Sequence, residues 1–247
     1  MGSSRFPGKP MKKILGIPMI EHVYKRVSLC KQLSKVAVAT CDEEIFNHIK
    51  KIGGIAIMTS KTHERASDRC AEALQSIEFQ DGHKYDIIVM VQGDEPMVYP
   101  DMITEALGPF YNNDNIMVTN LIGKISSDQE FKDRNCIKVV TDNNNNALYF
   151  SREPIPSTSK EANVPKGKQI CIIPFRRDFL LKYLQMNETP LEIAESVDMM
   201  RILENGYKVK MIPTKFSSFA VDEEKDRVFV EEKLKIDKLH NEIFGKV

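Results

Sequence analysis

The stretch Ile87-Ile88-Val89-Met90-Val91-Gln92-Gly93-Asp94-Glu95-Pro96 decides how the rest of the chain is interpreted. Its unbroken apolar first half predicts a parallel strand that is covered on both faces. The polar second half places two acidic side chains at the carboxyl end of that strand, where open α/β sheets bind ligands. The acids predict either a metal ion held over a phosphate or a strand-ending turn in which Asp94 bonds to nearby backbone.

Composition restricts the class of protein. The chain has 247 residues, 42% of them hydrophobic, which is enough for a large α/β domain with its own core. Lysine plus arginine equals 35 and aspartate plus glutamate equals 35, so the formal charge of +0 argues against a general nucleic-acid or membrane-surface binder. Five cysteines without a C-x-x-C pair are typical of reduced thiols in a cytoplasmic protein. No apolar run approaches the roughly 20 residues of a membrane span, and the first residues do not resemble a signal peptide.

Strand and helix patterns alternate along most of the chain. Short strands are predicted at 35–40, 55–59, 87–91, 116–122, 137–141, 147–150, 170–175 and 208–212. Helices are predicted at 18–27, 42–52, 67–79, 100–111, 178–186, 189–206 and in a charged segment after Asp222. This alternation predicts an α/β fold with a mostly parallel, mixed sheet. We expect one domain over residues 1–247, with 123–185 as an excursion from the sheet that serves sugar binding or dimerisation.

The first ten residues, Met1-Gly2-Ser3-Ser4-Arg5-Phe6-Pro7-Gly8-Lys9-Pro10, form a sequence rich in glycine, serine and proline. Small residues let backbone N–H groups approach a phosphate, and Arg5 and Lys9 could add charge-assisted hydrogen bonds. A phosphate loop of this kind normally follows a strand, and none precedes it in this sequence. The residues alone therefore predict either an N-terminal tail or part of a nucleotide site.

Five motifs, taken in order, resemble one enzyme family. They are residues 2–10, Gln92-Gly93-Asp94-Glu95-Pro96, Tyr149-Phe150-Ser151-Arg152-Glu153-Pro154-Ile155-Pro156, the helix that starts at Pro190-Leu191-Glu192, and Val221-Asp222 followed by Asp226. Across about residues 1 to 227 they resemble the 3-deoxy-manno-octulosonate cytidylyltransferases, or CMP-Kdo synthetases. The resemblance implies a three-layer α/β/α Rossmann-like nucleotidyltransferase of the nucleotide-diphospho-sugar transferase type, usually a homodimer. It also implies transfer of a cytidylyl group from CTP to a sugar acid, with Mg²⁺ as cofactor, for lipopolysaccharide or another cell-surface glycan.

Catalytic and nucleotide-binding roles follow from the matching positions. The resemblance assigns catalysis to Lys9, Asp94 and Asp222, and a shared Mg²⁺ to the two carboxylates. It assigns nucleotide binding to Ser3, Ser4, Arg5, Lys9, Ser67, Arg69 and Gln92. Asp222 could also, or instead, cap the helix that follows it. Arg65-Ala66-Ser67 stands where the family has Ser-Gly-Thr beside the cytosine, so backbone contacts with the base are expected only if Ala66 has ordinary dihedral angles.

The sugar-binding side matches the family less closely. The resemblance assigns sugar binding to Gln92, Arg152, Gln169, Glu192 and Glu195, and Arg152 suits a bidentate contact with the carboxylate of a sugar acid. The family often has His-x-Gly-x-Tyr where this chain has Gln169-Ile170-Cys171-Ile172-Ile173. Because polar sugar sites discriminate sharply between analogues, the substrate is expected to be Kdo or another acidic sugar, such as a sialic-acid-like one or amino-Kdo.

The beginning of the sequence departs from the family in another way. Family members have an apolar strand ending in Pro-Ala-Arg immediately before the glycine-serine loop, and Met1 stands in that region here. We expect the chain as written to lack a strand of the central sheet, to be less stable and to be poorly active. The alternative to an active enzyme is a degenerate homologue that binds a nucleotide or only forms oligomers.

Overall fold

The structure is a computed structural model that describes residues 6–161 and 163–245. The described chain forms two compact units, each assembled from separate stretches of sequence. The first unit comprises the described residues up to Gly82, residues 91–104 and those from Ser218 onward, and the second comprises residues 83–90 and 105–217. The predicted excursion at 123–185 lies entirely within the second unit.

Strands and helices alternate, as the sequence predicts. The strands are β1 (Lys13–Ile14), β2 (Ile17–Pro18), β3 (Ala37–Thr40), β4 (Ile55–Met58), β5 (Ile87–Val91), β6 (Thr119–Lys124), β7 (Lys138–Thr141), β8 (Ala147–Ser151), β9 (Gly167–Ile170), β10 (Ile172–Arg176) and β11 (Lys210–Pro213). The α-helices are α1 (Met19–Val27), α2 (Glu43–Lys51), α3 (Ala66–Asp81), α4 (Pro100–Leu107), α5 (Asp128–Lys132), α6 (Arg177–Tyr183), α7 (Pro190–Glu195), α8 (Asp198–Glu204), α9 (Glu224–Lys235) and α10 (Lys238–Phe244). Short 3-10 helices lie at Lys9–Met11 and Gly108–Tyr111. In the described part of the chain, no helix has the length and apolarity needed to cross a membrane.

The first unit contains a parallel strand pair and a short hairpin. Strands β3 and β4 are parallel, with Ala37 opposite Ile55, and α2 connects them, so they form a βαβ unit. Strands β1 and β2 are antiparallel, and the turn between them uses Leu15 and Gly16 with φ angles of 50° and 81°. The hairpin directs the chain from the 3-10 helix at Lys9–Met11 into α1.

A hydrophobic core cluster in the first unit joins segments that are far apart in the sequence. Its buried members are Phe6, Ile14, Met19, Met97, Val221, Val230 and Leu234. Each side chain of this size contributes about 1.5–3 kcal/mol when it is fully removed from water. The cluster therefore packs the N-terminal segment, the segment after β5 and the second half of α9 against one another.

The second unit is built on a five-stranded mixed sheet with the order β11-β6-β9-β7-β8. Strands β11 and β6 are parallel, whereas the β6–β9, β9–β7 and β7–β8 pairs are antiparallel. Strand β5 is hydrogen-bonded to β10. The strands predicted at 137–141 and 147–150 are confirmed as β7 and β8, which pair as an antiparallel hairpin. The sheet has more antiparallel pairing than the mostly parallel arrangement predicted, because β7, β8 and β9 all come from the excursion.

Two predicted elements are each divided in the structure. The strand predicted at 170–175 is interrupted by a bend at Cys171, because β9 pairs with β6 and β7 whereas β10 pairs with β5. The helix predicted at 189–206 is interrupted where Ser196 takes a left-handed conformation with φ 52°, which ends α7 before α8 begins. Both interruptions result from tertiary packing that the local apolar spacing does not reveal.

Candidate active site

Lys9 joins two carboxylates that come from distant parts of the first unit. Its Nζ lies 2.6 Å from Oδ2 of Asp94 and 3.3 Å from Oδ1 of Asp222. The side chain of Lys9 is 14% exposed and those of the two aspartates are each 20% exposed. The structure therefore brings the three residues predicted to act in catalysis together at one partly exposed position.

Asp94 is presented by a tight turn that follows β5. The Glu95 N–H donates to the carbonyl of Gln92 over 3.3 Å. Glu95 itself is buried, and its carboxylate accepts a hydrogen bond from the Ser218 hydroxyl. The stretch is thus a turn, as one interpretation of the sequence predicts, but Glu95 anchors it while Asp94 contacts Lys9.

Asp222 is held by main-chain contacts on both sides. The Val221 N–H donates to the carbonyl of Asp94 over 2.9 Å, so the two acidic segments are tied together. Oδ2 of Asp226 accepts the N–H of Asp222 over 3.0 Å and that of Glu223 over 2.9 Å. Helix α9 has its N-cap at Glu223. The prediction that Asp222 caps this helix is therefore wrong by one residue, and its side chain is directed to the lysine instead.

Two opposing effects act on the charge of Lys9. Burial disfavours the ammonium, but the charges and hydrogen bonds of Asp94 and Asp222 outweigh burial and raise the pKa of Lys9. Carboxylates that share one cation also provide the oxygen donors that Mg²⁺ prefers. Among residues 6–161 and 163–245, no group of three or more histidine, cysteine or acidic side chains is arranged to hold a metal. A metal ion on the two aspartates would therefore need water or phosphate oxygens to complete its coordination.

The remaining nucleotide-binding predictions concern several segments. Ser3, Ser4 and Arg5 lie outside the described residues. Ser67 is completely buried in the first turn of α3. Gln92 follows β5 directly and is partly exposed. In sequence it lies close to Asp94, one member of the cluster. Direct nucleotide contacts by Ser67 and Gln92 stay predictions.

Arg69 holds the loop that precedes α3. Its guanidinium donates to Thr59 Oγ1 over 2.6 Å, to the carbonyl of Ser60 over 3.1 Å and to the carbonyl of His63 over 3.2 Å. The imidazole of His63 in turn contacts the carboxylate of Glu72 on α3. Arg69 thereby shapes the 59–63 loop, and its predicted contact with the nucleotide stays a prediction.

Arg152 lies in the second unit, with its guanidinium directed at backbone carbonyls. Nε donates to the carbonyl of Glu195 over 2.6 Å, Nη1 to that of Arg134 over 2.9 Å and Nη2 to that of Ser196 over 3.2 Å. A sugar carboxylate would have to share or replace these acceptors. The bidentate contact predicted for Arg152 therefore stays a prediction.

Glu195 orders the same segment through its side chain. Its carboxylate accepts hydrogen bonds from the Tyr149 hydroxyl over 3.2 Å, from Ser151 Oγ over 2.9 Å and from the Arg152 N–H over 2.8 Å. Burial and the charge of Glu195 raise the pKa of the Tyr149 phenol. The structure thus brings Glu195 and Arg152 together and gives Glu195 a positioning role.

Glu192 forms a buried ion pair. Its carboxylate oxygens lie 2.6 Å and 2.7 Å from the guanidinium nitrogens of Arg201, and the side chains are 0% and 4% exposed, respectively. The Thr189 N–H also donates to this carboxylate over 3.3 Å, at the start of α7. The ion pair would have to open before the carboxylate could reach a ligand, and the predicted sugar contact of Glu192 stays a prediction.

Gln169 is partly exposed, and its side-chain amide contacts the buried amide of Asn120. Its Nε2 donates to Oδ1 of Asn120 over 2.6 Å. The Asn120 amide donates to the carbonyls of Ile170 over 2.6 Å and Ile172 over 3.4 Å, which flank the bend at Cys171. Gln169 therefore helps to stabilise the crossing from β9 to β10, and its predicted sugar contact stays a prediction.

The sequence did not reveal the positioning roles of two residues, Asp226 and Lys138. Asp226 is three residues beyond the N-cap of α9, a spacing typical of a capping box that could have indicated its role. Lys138 is completely buried, and its ammonium donates to the carbonyls of Asp133, Cys136 and Arg152. Burial lowers the pKa of Lys138. No sequence pattern distinguishes this lysine from one on the exposed face of a strand.

Comparisons with known proteins agree with these observations. A family model described as cytidylyltransferase matches residues 1–215. The 3-deoxy-manno-octulosonate cytidylyltransferase of Geobacter metallireducens is 42% identical over 243 residues, covering 94% of this chain and 93% of that protein. The enzyme of the same name from Fusobacterium nucleatum is 42% identical over 220 residues, covering 89% of this chain and 87% of that protein.

Solved structures show the same relationship. A CMP:2-keto-3-deoxy-manno-octonic acid synthetase complexed with CTP matches with a TM-score of 0.83 and 34% identity, covering 94% of this chain and 95% of that one. A 4-diphosphocytidyl-2C-methyl-D-erythritol synthase from Anaerococcus prevotii matches with a TM-score of 0.62 at 15% identity, a likeness of fold alone. The predicted α/β nucleotidyltransferase fold is confirmed, and the chain belongs to the 3-deoxy-manno-octulosonate cytidylyltransferase family.

Proposed function

We propose that this chain transfers the cytidylyl group of CTP to a Kdo-like sugar acid and releases pyrophosphate, with Mg²⁺ as the metal ion. The observation that carries the proposal is the cluster of Lys9, Asp94 and Asp222 in a chain of this family. The anomeric hydroxyl oxygen of the sugar forms a bond to the α-phosphorus, the bond from that phosphorus to the bridging oxygen breaks, and the hydroxyl proton passes to solvent. Because negative charge spreads over the phosphate oxygens, positioning and charge stabilisation supply most of the catalysis.

Asp94 and Asp222 are the residues proposed to hold Mg²⁺, which when bound stabilises the charge on the phosphate oxygens. The hydrogen bond from the Val221 N–H to the Asp94 carbonyl ties their two segments together. Both carboxylates contact the same ammonium of Lys9, so they face one position. Lys9 starts a 3-10 helix beside them and is proposed to contact the triphosphate through its ammonium. The chain thereby offers two acids for the metal and one cation for the phosphates.

Pyrophosphate release from CTP tests this proposal. The rate should require both Mg²⁺ and the sugar acid, and Asp94→Asn should reduce kcat by roughly two orders of magnitude, because metal-assisted charge stabilisation is worth several kcal/mol. Asp101→Asn is the matched control, since Asp101 is exposed in the first turn of α4. Retention of most activity by Asp94→Asn would contradict the metal assignment, and a folded wild-type chain without turnover would contradict the function.

Departures from the family pattern on β9 and β10 favour a second candidate substrate. The family often has a histidine at the position of Gln169 and a tyrosine at the position of Ile173. Here the Gln169 amide donates to Asn120, and Ile173 is only 2% exposed. We therefore propose an acidic sugar other than Kdo, such as amino-Kdo or a sialic-acid-like sugar, as the alternative acceptor. Comparison of kcat/KM across a panel of sugar acids at saturating CTP separates the two: a preference for Kdo itself would exclude this alternative.

A degenerate homologue is the non-enzyme alternative, and CTP binding tests it. Calorimetry with CTP and Mg²⁺ on the folded chain should give saturable heat if the chain is an active cytidylyltransferase. A homodimer, a cytoplasmic location and a contribution to lipopolysaccharide or another cell-surface glycan are further proposals from the family resemblance. Light scattering after size-exclusion chromatography would measure the first of these directly.

A further inference from the structure

We propose that Lys9 and a divalent cation compete for the same two carboxylates, so that Lys9 must leave them before the metal binds. The inference rests on the proposed function, since it concerns the same site. The ammonium of Lys9 donates to one oxygen of Asp94 at 2.6 Å and to one of Asp222 at 3.3 Å. It therefore lies where a cation shared by both acids would be placed.

The two cations exclude one another for geometric and electrostatic reasons. Mg²⁺ approaches its oxygen ligands to about 2.1 Å and tolerates little departure from octahedral geometry. An ammonium in hydrogen-bond contact with the same oxygens would take up positions that the ion's water or phosphate ligands need. Two like charges at that distance also repel each other strongly, because the site is only partly open to water.

The lysine is the part of the cluster that can move. Main-chain hydrogen bonds from Val221 to the Asp94 carbonyl, and from Asp222 to the Asp226 carboxylate, hold the acidic segments in place. Lys9 instead reaches the acids through a four-carbon side chain with several rotatable bonds. Displacement of the ammonium therefore requires only a change of side-chain rotamer.

The displaced ammonium needs a new acceptor, and the triphosphate of CTP is one. A phosphate oxygen can take the hydrogen bonds that the carboxylates give up to the metal. Nucleotide binding therefore draws Lys9 away from the acids and favours metal binding, and by linkage the metal favours nucleotide binding. Lys9 in this scheme couples the two ligands, beyond contributing positive charge.

Binding of Mn²⁺ to the nucleotide-free full chain, measured by electron paramagnetic resonance, tests the competition. If the ammonium occupies the acids nine-tenths of the time, Lys9→Met should bind Mn²⁺ about tenfold more tightly than wild type, since apparent affinity scales with the fraction of competent sites. Lys12→Met is the matched control, because Lys12 is exposed and its ammonium lies over the ring of Phe6. It removes one positive charge from the same segment and should change the affinity by less than about twofold.

An unchanged or weaker Mn²⁺ affinity of Lys9→Met would overturn the inference. The measurement needs neither sugar nor turnover, so a wild-type chain that releases no pyrophosphate would count against the proposed function alone. A second readout on wild-type protein covers the case in which Lys9→Met does not fold. Acetylation of Lys9 by acetic anhydride, followed by mass spectrometry, should become faster when Mn²⁺ is added, and an unchanged rate would also overturn the inference.

Discussion

Acidification should destabilise the first unit through His22, a completely buried residue of α1. The His22 ring stacks on His240 at 5.4 Å between centroids, and its Nε2–H donates to the carbonyl of Ile14 over 2.9 Å. Nδ1 is buried, so a proton there would place a positive charge inside the core. Burial, followed by the charges of His240 and Arg26, lowers the pKa of His22 to about 4.

The sign of the effect follows from proton linkage. The unfolded chain titrates His22 at about 6.5, whereas the folded chain titrates it at about 4. The contribution of His22 to the free energy of unfolding is therefore fully present above about pH 6.5. It falls as the pH decreases towards about 4, because in that window only the unfolded state takes up the proton. The difference corresponds to about 3 kcal/mol at 1.36 kcal/mol for each pKa unit, most of it lost by about pH 4.5. The pKa of His240, which faces Arg26 and Asp237 as well, is also lowered and adds to the loss.

Urea unfolding followed by circular dichroism measures this loss when wild type and His22→Gln are compared at the same pH. Glutamine can still donate to the carbonyl of Ile14 but does not titrate, and all other ionisable groups are common to both proteins. Wild type should lose about 2–3 kcal/mol more than His22→Gln between neutral pH and about pH 4.5. Hydrogen exchange of the α1 amides reports on the first unit separately. An equal loss in the two proteins would refute the assignment of the effect to His22.

Two packing predictions can be tested by thermal melting. Gly54→Ala should destabilise the chain by about 1–3 kcal/mol, because its Cβ would lie 2.7 Å from Cγ2 of Ile49, whereas Gly108→Ala meets nothing within 4 Å and serves as the control. An unchanged Tm for Gly54→Ala would show that the neighbouring side chain can give way. Glu192→Gln should cost about 3–5 kcal/mol, since it leaves the buried guanidinium of Arg201 with only the more distant carboxylate of Glu188, at 3.9 Å. A rise in the KM for the sugar with no change in Tm would instead favour the sugar contact that the family resemblance assigns to Glu192.

Local patterns predict the positions of strands and helices well where burial follows periodicity. The apolar run at 87–91 becomes β5 with the same bounds, and the tight turn at 143–146 produces the β7–β8 hairpin. The patterns fail at Cys171 and Ser196 for a shared reason. At Cys171 the chain changes its pairing partner within an apolar run, and at Ser196 a left-handed residue ends one helix inside a continuous helical pattern. Periodicity contains no information about either event.

The candidate site could be predicted only in part for a different reason. Lys9 is 85 residues from Asp94 and 213 residues from Asp222, so no local pattern relates them. The family resemblance identified all three residues, but it did not indicate that the lysine bridges the two acids. That contact depends on the buried cluster that contains Phe6 and Val221, which is a property of the tertiary structure.

A match of motifs also does not separate residues that bind ligands from residues that hold the binding residues in place. Both kinds persist in a family, because loss of either impairs the site. The structure distinguishes them by where their polar atoms are used. The carboxylates of Asp94 and Asp222 face a single ammonium that can rotate away, whereas the carboxylate of Glu192 is enclosed by a fixed guanidinium and a helix N-terminus. Ligand exchange at the first pair requires a rotamer change, and at Glu192 it requires a buried ion pair to open. The proposed metal and phosphate chemistry should therefore be tested first at the aspartates, whereas the sugar contact predicted for Glu192 stays a prediction.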